Sequence, residues 1–184
     1  MASAFTHWYA GGMAGLAMLP RALPRRGRWI TLGMASAWLP DADVLGWNLG
    51  IPYRSLLGHR GLSHGIPFAL AWAGLCVGLL TRGARGRPWR AHRKRLFVYL
   101  FLCTASHGLL DAMTDGGGGI AFLSPFLEDR WFLPWRPIRV SPLGIGRFFG
   151  ERGLQVIQTE LLWVWLPVAG LAAAVFLWRR RPAR

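Results

Sequence analysis

The stretch Ser106-His107-Gly108-Leu109-Leu110-Asp111 closes an apolar run and is followed by Thr114-Asp115 and four glycines, Gly116 to Gly119. In a helix His107 and Asp111 stand four residues apart on one face, with about 6 Å between their Cβ atoms. An imidazole and a carboxylate at that spacing can share one metal ion. Both lie near the end of a membrane-length hydrophobic segment, where unpaired polar groups are costly. The reading of the chain turns on which other polar residues reach this pair.

Of the 184 residues, 53% are hydrophobic, with 11 Trp and 10 Phe, and the mean hydropathy is +0.28. That length fits a single domain spanning 1–184, and the composition is too apolar for a soluble one, so several segments are expected in lipid. The net charge is +14, carried by 21 Arg and a single Lys against 8 acids. A basic balance of this size raises nucleic-acid binding. The arginines, however, fall in blocks between apolar runs, the distribution of membrane-flanking charge, and no nucleic-acid partner is expected. Cys76 and Cys103 both lie inside apolar runs with no CxxC or Cys-His spacing, and read as small buried hydrophobes. No cleavable signal peptide is expected, since no basic n-region or A-x-A-like site is present.

Apolar runs cover Ala4 to Leu19, Trp29 to Leu39, Ile66 to Leu80, Leu96 to Met113 and Leu161 to Trp178. The expected fold is all-α, a multi-pass helical membrane bundle of about four to five hydrophobic helices. Thr6 is placed as the cap of the first helix, with His7 in its first turn. The first two segments span only about 20 Å at ~1.5 Å per residue, so they are partial spans or helices packed inside the protein. The region 116–160, with Pro125, Pro134, Pro137 and Pro142, reads as a long extramembrane or interfacial loop.

Basic stretches at 21–28, 82–95 and 179–184 go to the cytoplasm by the positive-inside rule, which also leaves the C-terminus there. The intervening segments then put His7, Asp41, Asp43, His64, His107, Asp111 and Glu160 at the outer end of the bundle. Arg130, Arg136, Arg139, Arg147 and Arg152 fall in the outer loop, which the rule weights less than short loops.

His59 and His64 sit in Gly58-His59-Arg60-Gly61-Leu62-Ser63-His64, where the glycines allow a backbone tight enough to aim both rings inward. Arg60 beside them is suited to a carboxylate or a phosphate oxygen. Asp41 and Asp43 follow Pro40 at a helix C-terminus, where two acids oppose the macrodipole and call for a cation. The expected metal ligands are therefore His7, Asp41, Asp43, His59, His64, His107, Asp111 and Glu160. Asp115 is a candidate supporting residue, and His92, among arginines, is not a ligand. A His and carboxylate set without cysteine favours Zn, with Mn or Fe as alternatives. More than four candidates points to two ions, the usual arrangement for phosphoester hydrolysis.

Leu39-Pro40-Asp41-Ala42-Asp43, His59-Arg60-Gly61-Leu62-Ser63-His64 and Ser106-His107-Gly108-Leu109-Leu110-Asp111 with Thr114 together resemble the YdjM-like family. Thr6-His7 and Leu123-Ser124-Pro125-Phe126 also look like its pattern, so the likeness runs over most of residues 5–126. These are bacterial inner-membrane proteins described as metal-dependent hydrolases. The resemblance implies a helical membrane protein with a metal-hydrolase-type centre, distantly similar to zinc-dependent phospholipase C. The His-x-x-x-Asp ligands of that all-helical fold match His107 and Asp111 here.

The function expected from these residues is hydrolysis of a phosphoester or related ester, with a lipid-linked substrate suggested by the site's depth. Metal-activated water is the nucleophile. Asp41 or Asp43 serves as general base, and Arg60 steadies the anionic substrate. The rival is a non-catalytic membrane metal-binding or metal-transport protein, which would place its ligands near the midplane on broken helices. A closed structural metal site is a third possibility.

Overall fold

The computed structural model describes residues 1–82, 88–142 and 145–179. Arg85 and Arg87 of the basic loop, and Arg180 and Arg181 of the basic tail, lie outside them. The regular structure of the described residues is helical, with two isolated β-bridges and no strands, and 113–142 is irregular. The helices are α1 (Ala4–Met18), α2 (Arg26–Trp38), α3 (Ile66–Leu80), α4 (Arg93–Ala112) and α5 (Glu151–Trp178).

Helix starts follow local chemistry. Ser3, not Thr6, caps α1: its hydroxyl accepts from the Thr6 N–H at 3.4 Å. Thr6 instead lies inside the first turn, where its Oγ1 accepts from Trp165 Nε1 at 2.7 Å and ties α1 to α5. Pro67 stands in the first turn of α3, where its missing N–H costs nothing. Helix α2 runs directly into a 3₁₀ segment, Leu39–Val44, that carries Pro40, Asp41 and Asp43.

Helix α5 differs from expectation. It begins at Glu151, inside the region read as loop, so Glu160 sits within a helix rather than at its entrance. A π segment at Leu161–Trp165 follows Glu160 and precedes Pro167. A proline cannot donate to the carbonyl four residues back and crowds it, and a widened turn absorbs the mismatch. Helix α5 is long and apolar enough to cross a membrane and is mostly exposed rather than core. Helix α4, with 20 residues, has the length of a span, but Arg93, Lys94, Arg95 and Asp111 break its apolar character. Many large apolar side chains face outward, among them Leu70, Leu75, Leu102 and Leu171, as lipid-facing surfaces do.

The core sits where α1, α2 and α4 cross. Tyr99 of α4 is fully buried and its hydroxyl donates to the Gly11 carbonyl at 3.0 Å. Gly15 and Gly33 flank that ring closely enough that a Cβ at Gly33 would overlap the Tyr99 hydroxyl. Cys76 and Cys103 are free and buried in the same region, as read from sequence. Residues 113–142 wrap the C-terminal end of α4 through main-chain bonds from Leu133 N to Ala112 O and from Ile138 N to Met113 O.

Gly33→Ala is predicted to destabilise the protein by about 1–3 kcal/mol or more through overpacking. Gly78→Ala, with open space around its Cβ, should instead stabilise by about 0.5–1 kcal/mol. Thermal unfolding of the two detergent-solubilised variants checks the opposite signs.

Candidate metal centre

Alternation of helix direction collects the polar residues at one end. His7 opens α1, Asp41 and Asp43 follow α2, His59 and His64 precede α3, and His107 and Asp111 close α4. Asp41, His64, His107 and Asp111 each offer one ligand atom within 4.8 Å of the others, and all four residues are buried. His107 Nε2 is 3.2 Å from Asp41 Oδ1 and 3.1 Å from His64 Nε2. His64 Nε2 is 3.9 Å from both Asp41 Oδ1 and Asp111 Oδ2.

The protonation of these rings follows from their other nitrogens. His107 Nδ1 lies 2.8 Å from the Ala37 carbonyl, which can only accept, so Nδ1 is protonated and Nε2, 3.2 Å from Asp41 Oδ1, is the nitrogen that faces the cluster. His64 Nδ1 lies 3.1 Å from Asp43 Oδ2, which leaves its Nε2 as an acceptor. Burial, with His107 alongside, pushes the His64 imidazole down to about 4 against the opposing pull of Asp43. Two imidazole nitrogens and two carboxylates thus face one another, with the two Nε2 atoms 3.1 Å apart. Asp41 Oδ1 and Oδ2 and Asp111 Oδ2 are buried with no hydrogen-bond partner, a costly arrangement unless a cation joins them.

A second group, Asp43, His59 and His64, shares His64 with the first. Here the donors are already supplied. Asp43 Oδ1 takes His59 Nδ1–H at 2.7 Å, and Oδ2 takes the Ser63 hydroxyl at 2.7 Å and the Arg60 N–H at 3.1 Å. Burial alone would raise the Asp43 carboxyl, but the bonds from His59 and His64 hold it below the ordinary carboxylate range. Asp43 is therefore a charged anchor that orients His64, in the manner of carboxylates behind metal-binding histidines.

His7 is fully buried, stacks on His107 at 3.8 Å between centroids, and has Nε2 3.5 Å from Asp111 Oδ1. Neither of its ring nitrogens has a hydrogen-bond partner. Glu160 is buried but directed elsewhere: it accepts from the Ser3 N–H and from the Ser3 hydroxyl at 2.6 Å. It belongs to neither convergent group among the described residues. Asp115 also turns away, pairing with Arg139 at 2.8 Å and accepting from Val140 N–H at 2.7 Å.

Arg60 is committed to the protein rather than open to a ligand. It is fully buried, with Nε 3.2 Å from Asp111 Oδ2 and Nη1 and Nη2 donating to the Gly116 carbonyl and Thr114 Oγ1. Its backbone is left-handed, at φ 66, which sends its N–H to Asp43 and its side chain to Asp111. Gly117, at φ 97, lets the following loop pass over the guanidinium, because a Cβ there would strike Arg60 Nη1. Within the glycine run Gly117 thus makes room for Arg60, while Gly116, Gly118 and Gly119 lie against Val140, Tyr53 and Arg130.

Sequence reasoning missed Ser3, although a serine just ahead of an apolar run is a cap signal. It gave no role to Ser63, which lies within a quoted motif. No sequence signal marks the Ala37 carbonyl. Arg60→Met is predicted to cost about 3–5 kcal/mol by leaving Asp111 buried without its partner. Arg60→Lys should not restore stability, since one ammonium cannot span three acceptors. Thermal unfolding tests this, and a loss below about 1 kcal/mol for Arg60→Met would contradict the pairing.

The YdjM inner membrane protein family matches residues 1–182. The chain is also 38% identical over 182 residues to "Inner membrane protein YbcI" of Escherichia coli (strain K12), covering 98% of this chain and 100% of that one. No solved structure matches it. A match across nearly the whole length, motifs and last helix alike, means that the chain belongs to the YdjM family of inner membrane proteins.

Proposed function

We propose that Asp41, His64, His107 and Asp111 hold one divalent cation and that this centre hydrolyses a phosphoester or related ester. The observation that supports the reading is the convergence of two imidazole nitrogens and two carboxylates, all buried, with three of the carboxylate oxygens lacking a hydrogen-bond partner. Two imidazoles and two carboxylates without sulfur suit Zn, with Mn or Fe as alternatives. The same geometry favours one ion over the two expected from the ligand count, because Asp43 already has its donors.

A bound divalent cation would supply Lewis acidity and lower the pKa of water at the site. The chain's own residues do the rest. Asp43 and the Ala37 carbonyl fix the two ring orientations, and Arg60 holds Asp111 in place. His7 is the basic group not engaged elsewhere, so we assign it the proton-accepting role first considered for Asp41 or Asp43. The arrangement is placed at the outer end of a multi-pass bundle, with the arginine-rich ends of the helices in the cytoplasm by the positive-inside rule. A distant likeness to zinc-dependent phospholipase C and a lipid-linked substrate belong to the same reading.

One observation favours a second reading. All four ligand residues are buried, as in a structural site that staples helices together. Elemental analysis of purified protein should find about one ion per chain, lost in His107→Ala and in Asp41→Ala. Asp43→Asn should keep the ion with affinity weakened about 10–100-fold, and Glu160→Gln should keep it unchanged. Two ions per chain, or none in wild type, would contradict the site. A phosphoester panel then separates the readings: His7→Gln should retain the ion while turnover falls about 10²–10⁴-fold. A full complement of ion with no turnover on any ester leaves the structural reading.

A further inference from the structure

At the opposite end of the same helices lies a groove of mixed chemistry. A cavity of about 810 Å³ between the C-terminal halves of α1 and α5 is lined by Arg21, Arg26, Arg95 and Arg179 together with Leu16 and Phe176. It shares Met13, Ala17 and Ala172 with a second cavity of about 500 Å³. That second cavity runs between α1, α4 and α5 toward Ile66 and Phe122 and is walled almost wholly by apolar side chains. A third hollow, of about 620 Å³, adds His92 and Lys94 beside Arg95 and Arg179. One cationic end therefore opens into one apolar slot.

None of the chain's eight acids lines any of these cavities. Among the described residues the arginine–carboxylate pairs are Arg60–Asp111 and Arg139–Asp115, both elsewhere. Two of the arginines have local duties: Arg26 donates to the Leu16 and Leu19 carbonyls at the end of α1, and Arg21 lies 4.9 Å over the Phe176 ring. Arg95 and Arg179 are exposed and face the cavity. Arg95 also sits in the first turn of α4 behind Arg93 and Lys94, with no acid in that turn. Three cations at the positive end of a helix dipole oppose it, and an anion would relieve them.

We propose that this groove is a binding site for an anionic diacyl phospholipid. The headgroup phosphate rests on Arg95 and Arg179, and one acyl chain lies in the slot between α1, α4 and α5. Basic pockets between membrane helices recognise lipid headgroups in this way, and the apolar continuation selects an amphiphile over a free anion. The site is separate from the His and Asp centre and does not depend on its chemistry.

The test is native mass spectrometry of the full chain in mild detergent. Phosphatidylglycerol, phosphatidylcholine with the same acyl chains, and inorganic phosphate are compared on wild type, on Arg95→Gln/Arg179→Gln and on Ala172→Phe. Wild type should retain phosphatidylglycerol over phosphatidylcholine, and the double variant should lose about 30-fold in that retention. Ala172→Phe should weaken it by occupying the wall shared by both cavities. Helical content and the thermal unfolding midpoint, read on the same samples, should be unchanged in both variants, which shows that they are folded. Equal retention of phosphatidylcholine, unaltered retention in the double variant, or full displacement by inorganic phosphate would each overturn the proposal.

Discussion

Two carboxylates, Asp41 and Asp111, are buried where four helices end, and three of their oxygens have no hydrogen-bond partner. Burying a charge costs several kcal/mol unless something pairs with it, so everything around these acids is arranged to make the burial tolerable. Arg60 answers Asp111 from one side, through a left-handed backbone and a glycine that leaves room for its guanidinium. His64 and His107 approach from the other, each with its second nitrogen fixed by an acceptor. Asp41 has no such arginine, and its two oxygens without a hydrogen-bond partner are the physical reason that this group could hold a metal ion.

The scaffold is tied to the same requirement. Tyr99 holds α1 and α2 against α4 through glycines that permit close approach, which sets the helix ends that carry His7, Asp41 and His107. Thr6 and Glu160 then lock α1 to α5, one through Trp165 and the other through Ser3. Glu160 is thus a structural anchor one helix away from the acceptor cluster. Placing it under a π segment suits that task, since the widened turn shifts the helix face presented to α1.

The helices α1, α3 and α4 were legible because long apolar runs bounded by Pro, Gly and Arg leave little choice. Their alternating direction also made it legible that His7, Asp41, His64, His107 and Asp111 share one end. What escaped was set by tertiary contact. The start of α5 was hidden because Glu151 to Thr159 mixes Gln155, Gln158 and Gly153 into an amphipathic turn pair that reads as loop. Arg60 looked free to meet an anion because sequence shows its charge but not that Thr114 and Gly116 fold back onto it. The division between Asp41 and Asp43, two residues apart in one turn, depends on which of them Ser63 and His59 reach. No spacing rule encodes that.

X-ray absorption spectroscopy at the edge of the metal retained by purified protein reads the ligands of this group atom by atom. An ion held by Asp41, His64, His107 and Asp111 should show neighbours of nitrogen and oxygen only, with the multiple-scattering signature of about two imidazoles and no second metal nearby. Sulfur among those neighbours, or a metal neighbour at about 3.5–4 Å, would contradict that assignment.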